Sequence, residues 1–260
     1  LCDEVTLHLG FPGGVRAESG LRFLPNDKSN LAVAAALAFR RATGQTWKDL
    51  RISLTKRIPV CAGTAGGSSD AAAVLRGLNT LTGAGLSPQE LGSIGEEVGS
   101  DVPYCVLGGT ALAQGRGETL SPLPPLPDCF LVLCKPRFSI STPALFRTWD
   151  KAKRHLRPDT RGVIAALERG DLVGLAQRMF NVFEAVLPPH QHRDIEGIKT
   201  TLLQAGALGA AMSGSGPTVF GLFSQEAAAR KAVAVLQEDY DEVYLTHPLP
   251  AHGASCQIPV

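Results

Sequence analysis

The sequence has 260 residues, of which 44% are apolar and 19% charged, and its formal net charge is +1. That length lies near the upper limit for one hydrophobic core, so one large domain or two moderate ones are expected. A balance this close to neutral excludes the strong positive field that draws nucleic acid or acidic membranes. No apolar run approaches the roughly 18 residues that span a bilayer.

The chain opens on LCDEVTLHL, where Val5, Leu7 and Leu9 alternate with Thr6 and His8 in a strand pattern. GLRFL, residues 20–24, reads as a short second strand. SNLAVAAALAFRRATG reads as a helix, with Ser29 or Asn30 to cap it and Gly44 to end it. In LRISLTK, Leu50, Ile52 and Leu54 alternate with Arg51, Ser53 and Thr55, as in a half-buried strand. IPVCAGTAGGSSDAAAVLRGLN follows, a glycine-serine turn running into a small-residue helix. SPQELGSIGEEVG has Ser87 as cap, Pro88 at the first helical position and Glu90 three residues after the cap. TALAQG is a strand. SPLPPLPD, residues 121–128, has four prolines in eight residues and marks the expected boundary between halves.

Beyond it, CFLVLCKP is a buried strand, and a helical region of irregular periodicity runs from about Pro143 to Ala205. ALGAAMSG and TVFGLF are strands, QEAAARKAVAVLQE is a helix and EVYLT is a final strand. This order predicts an α+β fold in two lobes rather than a doubly wound sheet. The cysteines, Cys2, Cys61, Cys105, Cys129, Cys134 and Cys256, form no CxxC pair. Scattered buried thiols in a reducing, cytoplasmic compartment are expected rather than disulfides. His190 and His192 lie in a proline-rich stretch without nearby cysteines and read as solvated loop residues, not as zinc ligands.

The turn is the most specific feature. Its glycines allow positive φ and close approach of a ligand to the main chain. The unpaired N–H groups of the helix's first turn, aided by the helix dipole, form a ready anion site. Ser68 and Ser69 add hydroxyl donors, and Ala71, Ala72 and Ala73 keep the helix start slim. A polyphosphate suits this better than a bare glycine linker does. The Walker pattern is absent, because Gly67 is followed by Ser68 rather than lysine. The Rossmann acidic residue is absent as well. Asp101 in GSDVPYC reads equally well as a general base or as a cap of a helix or turn. As a base it would gain from a partly buried position that raises its pKa.

IPVCAGTAGGSSDAA resembles the phosphate-binding motif of the GHMP kinases. The likeness continues through LRGLN, GSDVPYCVLGGTALAQGRGE, KPRFSISTPALF and MSGSGPTVFGLF, covering most of the chain. It is strongest to the branch that phosphorylates the 2-hydroxyl of a cytidine diphosphate-linked methylerythritol in the non-mevalonate isoprenoid precursor pathway. Two rivals remain: a GHMP kinase for homoserine, mevalonate or a sugar, and a nucleotide-binding module without catalysis. The resemblance implies the two-lobe fold, with a nucleotide lobe at 1–122 and a second lobe at 128–260. It implies ATP as phosphoryl donor, Mg2+, a small-molecule alcohol substrate and a monomer or weak homodimer.

It also assigns residues. Asp101 matches the catalytic aspartate. Pro59, Val60, Cys61, Ala62 and Gly63 lead into the nucleotide loop, and Thr64, Ala65, Gly66, Gly67, Ser68 and Ser69 complete it. Asn30 falls near the adenine site and Lys56 at its start. Thr142 and Phe146 match residues lining the substrate pocket. Gly214, Ser215 and Gly216 match a third motif that closes over the site, and the same residues read equally as a hairpin turn. Thr64 and Ala65 depart from the usual Leu and Gly. Ala65 matters only if its φ is positive, and little functional change is expected. The family's Lys-x-Asn-Leu and Asp-Gly-Tyr/Phe-His segments have no counterpart here, and neither Lys28 nor Lys56 replaces the lysine by motif. An incomplete N-terminal lobe and weak turnover are therefore expected of the chain as given.

Overall fold

The structure is a computed structural model that describes residues 1–152 and 157–249. It divides into two compact units. One holds Cys2–Ile58 and Ala65–Pro122; the other holds Leu1, Pro59–Thr64 and Leu123–Leu249.

In the first unit, β1 (Glu4–Leu9), β2 (Val15–Ser19) and β3 (Leu50–Thr55) form a sheet in the order β1-β3-β2. The central β3 runs antiparallel to β1, with Leu7 opposite Ile52, and parallel to β2, with Ala17 opposite Ile52. Its alternation puts Leu50, Ile52 and Leu54 into the core. Helices α1 (Leu31–Thr43) and α2 (Gly66–Thr82) complete that core through faces rich in alanine, which let the two helices pack closely. Gly77 serves the same end, since a β-carbon there would press into Leu7 of β1. Asn30 caps α1 and Gly44 ends it in the left-handed region, as expected. Helix α3 (Pro88–Glu96) has the full capping box of Ser87 and Glu90. Short α4 (Val102–Leu107) packs on α2 and α3, and β4 (Thr110–Gln114) pairs with β5 (Thr119–Leu123).

GLRFL is not a strand. Ser19 and Leu21 exchange side-chain and backbone hydrogen bonds, and Leu24 N–H donates to the Leu21 carbonyl, so the segment turns. The strand is the preceding VRAES, which β3 recruits as a parallel neighbour.

The second unit is built on four antiparallel strands in the order β7-β8-β6-β9: β6 (Phe130–Lys135), β7 (Gly209–Met212), β8 (Val219–Phe223) and β9 (Glu242–Thr246). The region from 143 to 205 becomes α5 (Thr142–Lys151), α6 (Thr160–Glu168), α7 (Leu172–Ala176), a 3-10 turn (Val182–Val186) and α8 (Pro189–Gln204); α9 (Glu226–Leu236) precedes β9. Val132 and Cys134 face α8 and α9. Cys129, Leu131 and Leu222 face α6 and α7. The sheet is therefore covered on both sides.

His190 and His192 sit in the first turn of α8, exposed, rather than in a loop; Pro189 at the first helical position starts the helix. The five described cysteines are free, but only Cys129 and Cys134 are fully buried, and Cys2 and Cys61 are exposed. Cys256 lies outside the described residues. Among the described residues no helix is long and apolar enough to cross a membrane.

Candidate active site

The glycine-serine turn changes unit within its length, with Pro59–Thr64 in the second unit and Ala65 onward in the first. Residues Pro59–Thr64 pack with the second one, against the turn joining β7 to β8. Ser213 Oγ donates to the Gly63 carbonyl at 2.9 Å, and Thr218 N–H donates to the Ala62 carbonyl at 3.2 Å. Gly63 has φ of 73°, and a β-carbon there would overlap the Ser213 carbonyl and the Gly216 backbone. Gly216 has φ of 74°, and there a β-carbon would strike Met212. Both glycines are therefore required by shape as well as by φ.

On the same unit, Thr142 Oγ1 and Ser215 Oγ lie 2.8 Å apart, bringing the STPALF and SGSGP motifs together. Phe146, half-exposed, makes a T-shaped contact with Phe183 at a centroid separation of 4.8 Å. Asn181 was not anticipated. Its Nδ2 donates to the Met212 and Gly214 carbonyls at 2.7 and 2.8 Å. Glu184 accepts from Met212 N–H at 2.7 Å while paired with Lys199. Both lie in the least distinctive part of the sequence, and only the fold reveals that they hold the SGSGP turn.

In the first unit the loop ends at Ala65, whose φ of 52° places an L-residue in the left-handed region. Ala65 provides no side-chain cap to α2, and the first helical bond runs from Ser69 N–H to the Ala65 carbonyl. The N–H groups of Gly66, Gly67 and Ser68 precede it and have no carbonyl to meet within the helix. Gly67 is exposed, whereas Ser68 is buried. Ser69 Oγ donates to the Gly66 carbonyl at 2.8 Å, so this hydroxyl already bonds within the helix. The unpaired donors at this helix start are therefore backbone N–H groups rather than the Ser69 hydroxyl.

Beneath that helix start Lys56 Nζ is ion-paired with Asp3 and, at 2.6 Å, with Asp70; all three side chains are 3–6% exposed. Burial pushes the Asp70 carboxyl up to about 6, against the opposing pull of Lys56. Asn30 accepts from Ala32 N–H and donates to the Pro25 carbonyl. It borders a cavity of about 240 Å³ that also touches Ala17 and Leu54. Lys56 and Asn30 thus both carry structural bonds at the places where nucleotide contacts were expected.

Asp101 precedes α4 and is exposed, which corrects the expectation of a partly buried carboxylate. It also makes no capping bond, so the capping alternative finds no support. Arg76 of α2 fixes α4 by donating to the Cys105 carbonyl at 2.8 Å. The Cys105 thiol is pushed up to about 11 by burial first, with Asp101 and Asp70 adding and Arg76 opposing. Both carboxylates are thus felt at the α2–α4 packing.

A glycine turn opening on an uncapped helix, with a free carboxylate one packed helix away, belongs to the class of phosphotransferases that cradle a nucleotide by backbone. Residues 30–109 match the GHMP kinases N terminal domain and residues 163–242 the GHMP kinases C terminal domain. The chain belongs to the GHMP kinase family. A 4-diphosphocytidyl-2-C-methyl-D-erythritol kinase of Enterococcus faecalis is 44% identical over 249 residues, covering 96% of this chain and 87% of that protein. One of Moorella thermoacetica is 44% identical over 239 residues, covering 91% and 83%. The crystal structure of a 4-(cytidine 5'-diphospho)-2C-methyl-D-erythritol kinase superposes with a TM-score of 0.75 at 29% identity, covering 94% of this chain and 85% of that one.

Proposed function

We infer that this chain catalyses ATP-dependent phosphorylation of the 2-hydroxyl of 4-diphosphocytidyl-2-C-methyl-D-erythritol, a step of isoprenoid precursor synthesis. The observation that carries the nucleotide part is the uncapped first turn of α2 behind the Ala65 turn. The free N–H groups of Gly66, Gly67 and Ser68 meet the phosphate oxygens, and the helix dipole adds to their pull. Asp101 accepts the proton of the 2-hydroxyl as its oxygen bonds to the γ-phosphorus and the bond to the ADP oxygen breaks. Exposure leaves that carboxylate open to a substrate hydroxyl. The 1–122 lobe contributes Asp101 and the helix end of the loop. Thr142, Phe146, Gly214, Ser215 and Gly216 are the candidates for contact with the alcohol substrate, Phe146 by its half-exposed ring.

Among the described residues no group of three or more His, Cys, Asp or Glu could hold a metal ion. Mg2+ binds characteristically through substrate phosphates and one or two carboxylates, so its arrival on ATP fits this chain better than a resident site does. The free cysteines support a reducing, cytoplasmic setting. The test is turnover of ATP with the cytidyl-methylerythritol, homoserine and mevalonate in parallel. Phosphate transfer to the first alone is expected; preference for either of the others would overturn the substrate assignment.

A further inference from the structure

Beneath the glycine-serine turn lies a buried cluster with no part in the phosphoryl transfer itself. We propose that Asp3, Lys56 and Asp70 form a clamp that positions both ends of that turn, making Asp70 and Asp3 positioning residues for ATP binding. The proposal rests on the reading of Gly63 to Ser69 as the phosphate-binding loop.

The chain leaves β3 at Thr55 and re-enters regular structure at Gly66. Asp3, just ahead of β1, holds the leading end of the intervening segment: its Oδ1 accepts from Arg57 N–H at 2.5 Å and Ile58 N–H at 2.9 Å. Its Oδ2 pairs with Lys56. Lys56 in turn reaches Asp70 Oδ2 at 2.6 Å, one residue beyond Ser69 in α2, and so holds the trailing end. One ammonium thus joins the strand that launches the loop to the helix that receives it. Gly66 stands against the same cluster, since a β-carbon there would lie 2.9 Å from Ile58 Cγ2 and 3.6 Å from Lys56 Nζ.

Stability alone does not explain this arrangement. Two carboxylates share one ammonium out of water, and Asp70 Oδ1 is buried with no hydrogen-bond partner among the described residues. An ionised group so placed is costly unless fully paired. The charge is kept where the backbone must be held to within a fraction of an ångström of the phosphates.

The groups around Asp70 are Asp3, Lys56 and, across the α2–α4 packing, Cys105 with Asp101 and Arg76 beyond it. α1 brings to the shared core Ala32, Val33, Ala35, Ala36, Ala38 and Phe39, with Leu31 and Leu37 packed beside them, all apolar. Asp70 titrates near pH 6, so acid weakens its hold on Lys56 within the range an assay can reach.

The experiment compares Asp70→Ala, Asp70→Asn, Asp3→Ala and Gly66→Val with the parent in the full chain. It reads kcat and both KM values from pH 5 to pH 8 and follows folding by circular dichroism. Asp70→Ala and Asp3→Ala are expected to raise the KM for ATP roughly 10- to 100-fold. The KM for the alcohol should stay within about twofold of the parent. Asp70→Asn keeps an acceptor on Lys56, so it should recover most of the ATP affinity. Because it mimics the protonated acid, its ATP KM should differ most from the parent's at pH 8 and converge with it near pH 5. Folded Asp70→Ala and Asp3→Ala proteins with parental ATP KM, beside a weakened Gly66→Val, would overturn the clamp alone. Unchanged ATP affinity in Gly66→Val would instead overturn the loop reading, and the clamp with it.

Discussion

Ala65 turns the chain into α2 with φ of 52° and ψ of 25°. A β-carbon in this region crowds the following carbonyl and costs about 1 kcal/mol or more. Glycine would remove that strain while gaining unfolded-state entropy, which offsets part of the benefit. Ala65→Gly is expected to raise unfolding stability by a few tenths of a kcal/mol, and by less than about 1 kcal/mol. Urea denaturation of the two proteins measures this, and a loss of stability would show that the turn favours alanine. Asp101 makes the opposite case, because its carboxylate is exposed and makes no capping bond. Asp101→Asn should therefore fold as the parent does, bind ATP, and lose roughly 100-fold or more in turnover. Steady-state kinetics with a nucleotide-binding titration decides it; near-parental turnover would remove Asp101 from the chemistry.

The turn between β7 and β8 is held by Asn181, the cap of the 3-10 segment, and by Glu184 within it. Asn181 satisfies the Met212 and Gly214 carbonyls together and accepts from Phe183 N–H. Asn181→Ala strips both carbonyls of their donor and should destabilise the protein by about 1–3 kcal/mol. Chemical denaturation reads this directly; an unchanged midpoint would mean that water replaces the amide at no cost. Nothing in the sequence advertised Asn181, since the contact joins residues about thirty positions apart. Features that depend on neighbours were legible: the Asn30 cap, the Ser87 capping box, the alternation of Leu50, Ile52 and Leu54, and the glycine-serine turn. Features set by partners were not. VRAES pairs with β3 although two charges and a serine interrupt it, while apolar GLRFL turns back and leaves Phe23 exposed. Short α4 was hidden by Pro103, and with it the exposure of Asp101. The positions of the site's motifs were thus readable in advance, but the buried ion cluster beneath them was not.

At the scale of the whole molecule, one group shapes stability in mild acid. Asp70 titrates near pH 6 when folded, against 3.8 for an ordinary aspartate, because burial outweighs Lys56. Between those values the folded protein holds a proton that the unfolded chain has released. Stability from this group is therefore present in full below about pH 4 and falls as pH rises toward 6. A rise from 3.8 to about 6 corresponds to something on the order of 3 kcal/mol. Asp27, Glu90 and Glu118, held below the usual carboxylate range by hydrogen bonds, act in the opposite sense and lose their contribution only in stronger acid. Comparison with Asp70→Asn cancels their effect, because both proteins carry them. Relative to that variant, the parent should lose stability from pH 4 to pH 6 and hold a constant deficit above it. Denaturation midpoints at pH 4, 5, 6 and 7.5 test the claim, and parallel curves for the two proteins would show that Asp70 titrates as an ordinary aspartate. A carboxylate that costs stability at neutral pH while pairing with Lys56 under the nucleotide loop is expected where function rather than folding retains the charge.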